Sequence, residues 1–361
     1  MHTRCRRAVL LVTALVAAVS LAAQDARPAA LPQPTLHHYH VNSVDPERSR
    51  DWYAQFWPNG RKTTFAGLPA FGDGIALVYT KVAAQAPGGY DRAKQRSDPQ
   101  SAFWTFGSTI KAPDSSALRA RLQKVDARAF QPVTLYGGPG GTGTAEYSWG
   151  LPMGHTISTL DALAKMPTPP PAPAGQDYGY YVDPDGLLVE FAVIAGAPAD
   201  DFGAHSHLWH EQPLCAANWY VEHLGMQMAP TRDWVTGETG QPERWETCER
   251  PISQVVTYAS TMRSGWLRSP SGNVRFANST WLAYPRQCHF GRCGADGDRP
   301  LARSRGQVLD HVGFTYPDLD AVIAHLEARN VTMQGPYALG DTRAVMVETP
   351  DGLALELIQA K

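Results

Sequence analysis

Histidine and glutamate residues, whose side chains can bind metal ions, recur at corresponding positions of repeated stretches in this sequence. Glu190 and Glu356 each stand four residues beyond the glycine of a Pro-Asp-Gly tripeptide, and histidines open three other stretches of the chain. The histidines in question are His38, His40, His205, His207 and His311. Neutral imidazole and carboxylate groups suit zinc, iron, manganese or nickel, and two histidines with one carboxylate leave coordination positions open. An ion held in this way could polarise a substrate oxygen or activate a bound water.

The two glutamates belong to a repeated sequence. Pro184-Asp-Gly-Leu-Leu-Val-Glu190 returns as Pro350-Asp-Gly-Leu-Ala-Leu-Glu356, and each copy follows a stretch rich in apolar, aromatic or β-branched residues. Pro-Asp-Gly is typical of a turn, and the alternation around it is typical of strands. Each copy therefore predicts a strand, a tight turn and a second strand that carries the glutamate.

A second repeat marks four places where a strand leads into a helix. Strands are predicted near residues 36, 105, 204 and 310, and each is followed by residues at helical spacing. Asp114, Ser115 and Asp318 are candidate helix N-caps. The sequence therefore predicts an α+β fold of four β-α-β-β-β modules, arranged as two tandem domains over residues 35–197 and 198–361.

The first 23 residues have the features of a cleaved export signal. Three arginines among the first seven residues precede an apolar run over residues 8–19, and small residues suited to cleavage follow. The run is shorter than the roughly 20 residues of a membrane span, although an uncleaved anchor is the alternative. Residues 24–34 are rich in alanine and proline and predict a linker. We therefore expect an exported protein, periplasmic or secreted, with no stable membrane span after cleavage.

Four cysteines lie beyond the signal, and an even number in an exported protein favours disulfides. Cys288 and Cys293 are close in sequence and form the first candidate pair, which leaves Cys215 with Cys248. The other connectivities stay open. No Cys-x-x-Cys spacing occurs, which disfavours a zinc site built from all four cysteines.

The composition is that of a globular protein with a large core. Hydrophobic residues make up 43% of the chain and charged residues 18%, which does not resemble a disordered protein. The net charge of −2 gives no sign of a basic surface, which argues against a nucleic-acid partner. The glycine-rich residues 136–143 lack the Gly-Lys-Ser/Thr ending of a phosphate-binding loop and predict a turn, and the proline-rich residues 167–175 predict an extended loop.

The fourfold repeat resembles the vicinal oxygen chelate superfamily, which includes glyoxalases, bleomycin-resistance proteins and extradiol dioxygenases. The resemblance covers nearly all of the chain beyond the signal and is most specific over residues 205–226, 311–326 and 350–357. In that superfamily, paired modules form a cupped mixed sheet around a divalent metal. The ligands come from the first strand of a module and from the glutamate after the turn.

The resemblance implies one complete ligand set, in the C-terminal domain, for zinc, iron, manganese or nickel. The ligands that this domain supplies by position are His205, His311 and Glu356. The N-terminal domain offers His38 and Glu190, but Gly107 stands where its second histidine would be. We therefore expect one divalent ion per chain, and a degenerate site in the N-terminal domain.

Strand parity extends the set of candidate residues. His207 lies two residues after His205, so both side chains could face the same cavity. His207 could be a catalytic group, a hydrogen-bond partner of a metal ligand, a replacement ligand or an ordinary packing residue. His40 likewise shares a face with His38. His210 has the opposite parity and is expected outside the cavity unless the strand ends before it.

Three functions are open at this point. A lyase or isomerase resembling glyoxalase would use the ion to stabilise an oxyanion, but residues 279–284 lack the acidic fourth ligand usual in such sites. An extradiol dioxygenase fits the two-histidine, one-carboxylate set, but Met346 stands where that family has a tyrosine. A non-catalytic binding protein could line an apolar cleft with tryptophans. In each case we expect a small-molecule substrate or ligand and a monomer or homodimer.

Overall fold

The computed structural model describes residues 31–91, 96–111, 176–194, 199–228, 231–232, 239–240, 248–249, 274–286 and 298–361. The export signal, most of the linker and the glycine-rich and proline-rich stretches lie outside these residues. The N-caps predicted at Asp114 and Ser115 and the disulfide predicted between Cys288 and Cys293 also lie outside them.

The first two modules each open with a long strand. The first module consists of β1 (Thr35–Ser43), α1 (Pro46–Phe56), β2 (Arg61–Phe65), β3 (Leu68–Asp73) and β4 (Ile75–Lys81). Two short strands, β5 (Tyr90–Asp91) and β6 (Arg96–Ser97), then pair with each other. The second module contains β7 (Phe103–Ile110), β8 (Gln176–Val182) and β9 (Leu188–Ile194).

The last two modules repeat this order. The third contains β10 (Asp201–His210), α2 (Pro213–Leu224), β11 (Gln227–Met228), β12 (Thr231–Arg232), β13 (Thr239–Gly240), β14 (Val274–Phe276) and β15 (Ser279–Pro285). The fourth contains β16 (Leu309–Tyr316), α3 (Leu319–Glu327), β17 (Met333–Leu339), β18 (Thr342–Glu348) and β19 (Ala354–Gln359). Both Pro-Asp-Gly sequences connect paired strands, β8 to β9 and β18 to β19, as the sequence predicts.

The helices begin and end at residues whose chemistry favours those positions. The side chain of Asp45 accepts a hydrogen bond from Arg48 N at 3.2 Å, and Asp318 accepts one from Ala321 N at 3.0 Å. The cap predicted at Asp318 is thereby confirmed. Helix α2 ends at Gly225, whose φ of 71° is a left-handed conformation that glycine adopts without steric cost. In the described part of the chain, no helix combines the length and the apolar character needed to cross a bilayer.

Two mixed sheets contain most of the strands, and the predicted α+β class is confirmed. The eight-stranded sheet has the order β17-β18-β19-β16-β1-β4-β3-β2, and the seven-stranded sheet has the order β11-β14-β15-β10-β7-β9-β8. At the centre of each sheet, the first strands of two modules pair antiparallel. These pairs are β1 with β16 and β7 with β10. The first module therefore shares a sheet with the fourth, and the second shares a sheet with the third.

This pairing corrects the arrangement expected from the sequence. The tandem repeat favours one sheet for residues 35–197 and another for residues 198–361, whereas each observed sheet takes strands from both halves. The first strands of the four modules have similar patterns, so a repeat alone does not indicate which two will pair. The correction matters for function because residues expected in one domain lie in different sheets.

Alternate residues of the central strands face the core between the sheets. The ring of Tyr39 on β1 stacks on Phe106 of β7 with centroids 5.1 Å apart, and its hydroxyl lies 2.5 Å from Ser206 Oγ on β10. His38 and His40 flank Tyr39 and face the opposite side, because successive side chains of a strand alternate. The pleat of β1 therefore places the two histidines on the inner face of the eight-stranded sheet.

The eight-stranded sheet curls until its two outer hairpins meet. A Cβ atom at Gly340, in the β17–β18 turn, would lie 3.5 Å from the Cβ of Ala66 in the β2–β3 turn. Phe65, beside that turn, packs its ring 4.4 Å from the ring of His37 and 5.3 Å from that of His38. The hairpins therefore enclose the inner face on which His38 lies.

One disulfide joins α2 to a distant loop. Cys215 and Cys248 are bonded across a sequence separation of 33, so this predicted pair is confirmed.

Candidate metal centres

Three histidines and a glutamate converge on the inner face of the eight-stranded sheet, and we call them the first cluster. The cluster consists of His38 and His40 on β1, His311 on β16 and Glu356 on β19. One ring nitrogen from each of the three histidines lies within 4.8 Å of the others. In the strand register His40 is opposite His311, while His38 and Glu356 both pair with Gly313. The first and last modules therefore build this cluster together.

The Nε2 atoms of two histidines face one oxygen of Glu356. Glu356 Oε2 lies 3.6 Å from His38 Nε2 and 3.8 Å from His311 Nε2. All three side chains are buried, and neither Nε2 has a hydrogen-bond partner among the described residues. Two ligands about 2.0–2.1 Å from a tetrahedral ion are roughly 3.3 Å apart, so Glu356 Oε2 lies within about 0.5 Å of ligand spacing from each of the two imidazole nitrogens. The donor set fits a divalent cation.

The opposite nitrogen of each of these two rings is held by a neighbour. His311 Nδ1 lies 2.7 Å from Asp310 Oδ1, the carboxylate–histidine pairing that commonly orients a metal ligand. His38 Nδ1 lies 3.0 Å from His37 Nδ1. A proton on either Nδ1 leaves the Nε2 lone pair of that ring available for a cation.

Two further groups border the cluster. The ring of His40 stacks on that of His311 with centroids 4.3 Å apart, and His40 Nε2 lies 2.7 Å from Thr80 Oγ1. Tyr337, on the outer strand β17, donates a hydrogen bond to Glu356 Oε1 at 2.6 Å. The two oxygens of Glu356 therefore have different surroundings, a phenol at Oε1 and two imidazoles at Oε2.

A glycine provides the space that His38 occupies. A Cβ atom at Gly313 would lie 2.1 Å from His38 Cε1, which no side chain tolerates. Gly107 has the same relation to His205 in the other sheet, where a Cβ atom would lie 2.3 Å from that ring. Each glycine lies between the histidine of one neighbouring strand and the glutamate of the other.

The seven-stranded sheet carries a second cluster, formed by Glu190 on β9 with His205 and His207 on β10. His205 Nε2 lies 3.5 Å from Glu190 Oε1, and His207 Nε2 lies 3.3 Å from Glu190 Oε2. His205 and His207 face the same side, as their parity predicts. The rings of Trp104 and Tyr284 lie 4.9 and 5.4 Å from that of His207. This second cluster therefore offers two imidazoles and one carboxylate within an aromatic surround.

Burial favours the neutral form of several site imidazoles. It lowers the pKa of His40 and of His207 to about 3. Burial also lowers the pKa of His38, and the neighbouring imidazoles add to that effect. His311 is the exception, because the hydrogen bond to Asp310 and the proximity of Glu356 outweigh burial and raise its pKa.

Both glutamates favour the charged form. Burial alone would raise the pKa of Glu356 and of Glu190, but the adjacent imidazoles outweigh it and lower the pKa of each. Ionised carboxylates and neutral imidazoles are the forms that bind metal ions, so these pKa shifts favour metal binding, except that of His311, which favours the protonated ring.

The structure does not bring together the three ligands expected from the sequence. His311 and Glu356 lie in the first cluster, as expected of a pair, but His205 lies in the other sheet with Glu190. His38 occupies the place beside Glu356 that the sequence assigns to His205. The reason is the strand pairing, since β16 is hydrogen-bonded to β1 and not to β10.

The register also corrects the interpretation of Gly107. This residue corresponds to Gly313 and makes room for an imidazole, so it does not replace a histidine. Thr105 stands where the first cluster has His311, and its hydroxyl donates to the carbonyl of Leu188 at 2.8 Å. The second cluster therefore has one imidazole fewer than the first.

His210 lies outside both clusters, as its strand parity predicts, but it is not on the surface. It is fully buried, and its Nδ1 lies 2.6 Å from Asp351 Oδ2 in the second Pro-Asp-Gly turn. The strand β10 runs on to His210, which lies beneath that turn and in neither cluster.

Most of the tryptophans that could line an apolar cleft are buried; these are Trp52, Trp104, Trp209 and Trp281.

Sequence reasoning missed two residues beside the first cluster. Asp310 directly precedes His311, so the pair could have been noticed as a carboxylate beside a candidate ligand. Tyr337 gave no such signal, because its place beside Glu356 depends on how β17 bends.

No family model and no curated protein matches the sequence. Solved structures do match. Glyoxalase I from Zea mays aligns with a TM-score of 0.50 and 12% identity over 90% of this chain and 92% of that one. The antibiotic binding protein TnmS3 from Streptomyces sp. aligns with a TM-score of 0.26 and 18% identity, covering 44% of this chain and 94% of that one. A member of the glyoxalase/bleomycin resistance protein/dioxygenase superfamily from Sphaerobacter thermophilus aligns with a TM-score of 0.25 and 16% identity, covering 43% and 94%.

At these identities the alignments bear on the fold. The alignment with glyoxalase I extends over at least 90% of each chain, and the strand-rich modules and mixed sheets agree with it. The chain therefore has the fold of the vicinal oxygen chelate superfamily.

Proposed function

We propose that the first cluster binds a divalent cation through His38, His311 and Glu356, and that the protein uses it on a small substrate with adjacent oxygen atoms. The observation that carries this proposal is the pair of buried Nε2 atoms that face Glu356 Oε2 at 3.6 and 3.8 Å. When bound, such an ion supplies Lewis-acid polarisation of a substrate oxygen. The reaction class is that of a lyase or isomerase.

The residues around the ligands have separate roles in this proposal. Asp310 orients His311 through the 2.7 Å contact at Nδ1. His40 is held in its neutral form by burial and stacks on His311, so it supports the orientation of that ring. His207, the catalytic candidate of the sequence, lies in the second cluster and is assigned there as a ligand.

A second ion is proposed at the second cluster. Glu190 there faces His205 with one oxygen and His207 with the other, so all three side chains point at one another. The strand β7 lies between β9 and β10. An ion at this cluster would tie the outer two of these three strands together, and we assign it a structural role.

A ring-cleaving dioxygenase is the alternative reaction. Two imidazoles and one carboxylate form the ligand set of non-haem Fe(II) oxygenases, and the first cluster contains that set. Tyr337 also places a phenol beside Glu356, although Met346 occupies the position where extradiol dioxygenases have a tyrosine.

Export and a monomeric state are also part of the proposal. The Cys215–Cys248 disulfide is typical of proteins from oxidising compartments, which supports the interpretation of residues 1–23 as an export signal. Each sheet pairs its central strands within one chain, which supports a monomer over a homodimer.

Metal analysis of site variants tests the assignment. The purified protein is loaded in turn with Zn²⁺, Fe²⁺, Mn²⁺ and Ni²⁺, desalted, and analysed by mass spectrometry of the metal. We expect two ions per chain, loss of one in His311→Ala, loss of the other in His207→Ala, and no loss in the control Arg343→Ala. No retained ion under any loading condition, or an unchanged content in His311→Ala, would refute the proposal.

Turnover assays then separate the reaction classes. Anaerobic conversion of small α-hydroxycarbonyl compounds that stops on chelation supports the lyase or isomerase. Oxygen uptake with catechols after Fe²⁺ loading supports the dioxygenase instead. Tight binding of apolar ligands that a chelator does not alter would identify a non-catalytic binding protein.

A further inference from the structure

The two oxygens of Glu356 are distinguished by a residue from the outer strand of the sheet. We propose that Tyr337 is a positioning residue that holds Glu356 by Oε1 and so presents only Oε2 to the cation. The inference rests on the proposed function of the first cluster, because it concerns how that cluster uses its carboxylate. Its consequence is that one more coordination position stays available to the substrate.

The bend of β17 brings Tyr337 to this contact. In the register of the sheet, Tyr337 pairs with Ala344 and Ala344 pairs with Ile358, two residues beyond Glu356 on the same face. The pairing of β17 with β18 is irregular between Gln334 and Tyr337, and bulges of this kind re-aim side chains beside functional sites. Tyr337 thereby reaches sideways along the inner face to Glu356.

A glycine permits this bend. Gly335 has a φ of 113°, a conformation that side-chain-bearing residues rarely adopt. A Cβ atom there would lie 2.9 Å from Cδ1 of Tyr337, so the ring folds back over the glycine. The local sequence thus builds a dedicated position for the phenol.

The hydrogen bond has the chemistry needed to restrain a carboxylate. At 2.6 Å, the phenol donating to Oε1 is a charge-assisted hydrogen bond, which is about twice as strong as a neutral one. Carboxylates bind cations through one oxygen or through both. An oxygen already engaged by Tyr337 is less available as a second donor, whereas Oε2 faces His38 and His311.

The second cluster differs in how its glutamate meets the imidazoles, although Tyr180 hydrogen-bonds Glu190 as Tyr337 does Glu356. Glu190 faces an imidazole with each of its oxygens, at 3.5 Å for Oε1 and 3.3 Å for Oε2. Glu356 faces imidazoles with Oε2 and a phenol with Oε1. Tyr337 is half-buried, while Glu356 is 4% exposed.

Cobalt spectroscopy tests the role without an activity assay. The test uses His207→Ala as the parent, so that Co²⁺ occupies the first cluster alone, and adds Tyr337→Phe to it. The visible absorption of Co²⁺ weakens as its coordination number rises, so we expect a weaker spectrum in Tyr337→Phe. Acetohydroxamate binds to open coordination positions of a metal ion. We expect it to bind the Tyr337→Phe variant roughly tenfold less tightly, which is the smaller end of the effects seen when a hydrogen-bond partner of a metal ligand is removed.

Matched variants separate the hydrogen bond from general disturbance. Tyr337→His keeps a ring donor and is expected to lie nearer the parent in both measurements, and Arg343→Ala on the neighbouring strand is expected to match the parent. Tyr337→Phe and the parent giving the same spectrum and the same acetohydroxamate affinity would overturn the inference. Equal changes in Tyr337→Phe and Tyr337→His would overturn it as well. Failure of the parent itself to bind Co²⁺ would instead refute the proposed function.

Discussion

Two imidazoles of the first cluster, those of His38 and His311, are each directed by the group that holds the other ring nitrogen. Asp310 holds Nδ1 of His311, and His37 lies against Nδ1 of His38, so in both rings Nε2 faces Glu356. The residue types that could bind a metal were therefore readable from the sequence. Which nitrogen of each ring faces the cation depends on neighbours that only the folded sheet supplies.

Replacing Asp310 should change both the strength and the pH dependence of cation binding. Histidine usually has a pKa of about 6.5, and that of His311 is raised. As the pH falls, protons therefore begin to displace a cation from this ring before pH 6.5 is reached. In Asp310→Asn the charge that supports the protonated ring is lost, so the pKa of His311 falls and proton competition begins at a lower pH. At pH 8, where proton competition is weakest within the measured range, we expect about 10–100-fold weaker binding by the variant because the ring is less well oriented.

Chelator competition between pH 5.5 and pH 8 measures both effects of Asp310→Asn. We expect the affinity of the variant to fall less steeply with decreasing pH than that of the parent. Parallel curves for the two proteins would show that Asp310 does not govern the protonation of His311.

At the scale of elements, the two sheets repeat one arrangement of strands. In each sheet, the strand that carries a His-x-His sequence pairs with the first strand of another module, and that strand pairs in turn with the strand that carries the glutamate. The three strands are β1, β16 and β19 in one sheet and β10, β7 and β9 in the other. Gly313 and Gly107 occupy the middle strand and admit the histidine rings. The strands, turns and helices were predictable because their patterns are local. The register that places a glycine beneath a ring was not, because it is set by pairing between distant strands.

Filling either glycine should empty only the cluster of its own sheet. In Gly313→Ala the new methyl group would overlap the ring of His38, and in Gly107→Ala it would overlap that of His205. Overpacking of this kind typically costs about 1–3 kcal/mol of folding stability. Metal analysis should show that each variant loses one ion, from the first cluster and from the second cluster respectively. Loss of both ions in either variant would indicate global disruption in place of local displacement.

The disulfide should contribute measurably to the stability of the third module. Cys215 and Cys248 close a loop of 33 positions, for which chain-entropy estimates give roughly 3–4 kcal/mol. We expect Cys215→Ala/Cys248→Ala to unfold at lower denaturant with its free energy of unfolding reduced by about that amount. Unchanged unfolding after reduction of the parent protein would argue against this contribution.

At the scale of the whole molecule, the pairing of modules was the part that the sequence could not supply. The fourfold repeat identifies four similar units, but β1 could pair with β7, β10 or β16 on pattern alone. The observed pairing places His38 from the start of the chain beside His311 and Glu356 near its end. A site expected within one half of the chain is therefore shared between the halves.

This sharing predicts that neither half is independent. Residues 33–197 alone would leave β1 without β16 and β7 without β10, and residues 198–361 alone would expose the complementary edges. Unpaired strand edges promote aggregation, so we expect each half to be insoluble or aggregated when produced by itself.

Co-production of the two halves should restore both the fold and the first cluster. We expect the halves to copurify as a one-to-one complex that retains a cation, because His38 comes from one half and Glu356 from the other. The same complex carrying His311→Ala should assemble but lose that cation, which separates association from metal binding. A half that is soluble, monomeric and cooperatively folded on its own would contradict this account, since β1 and β16 would then not depend on each other.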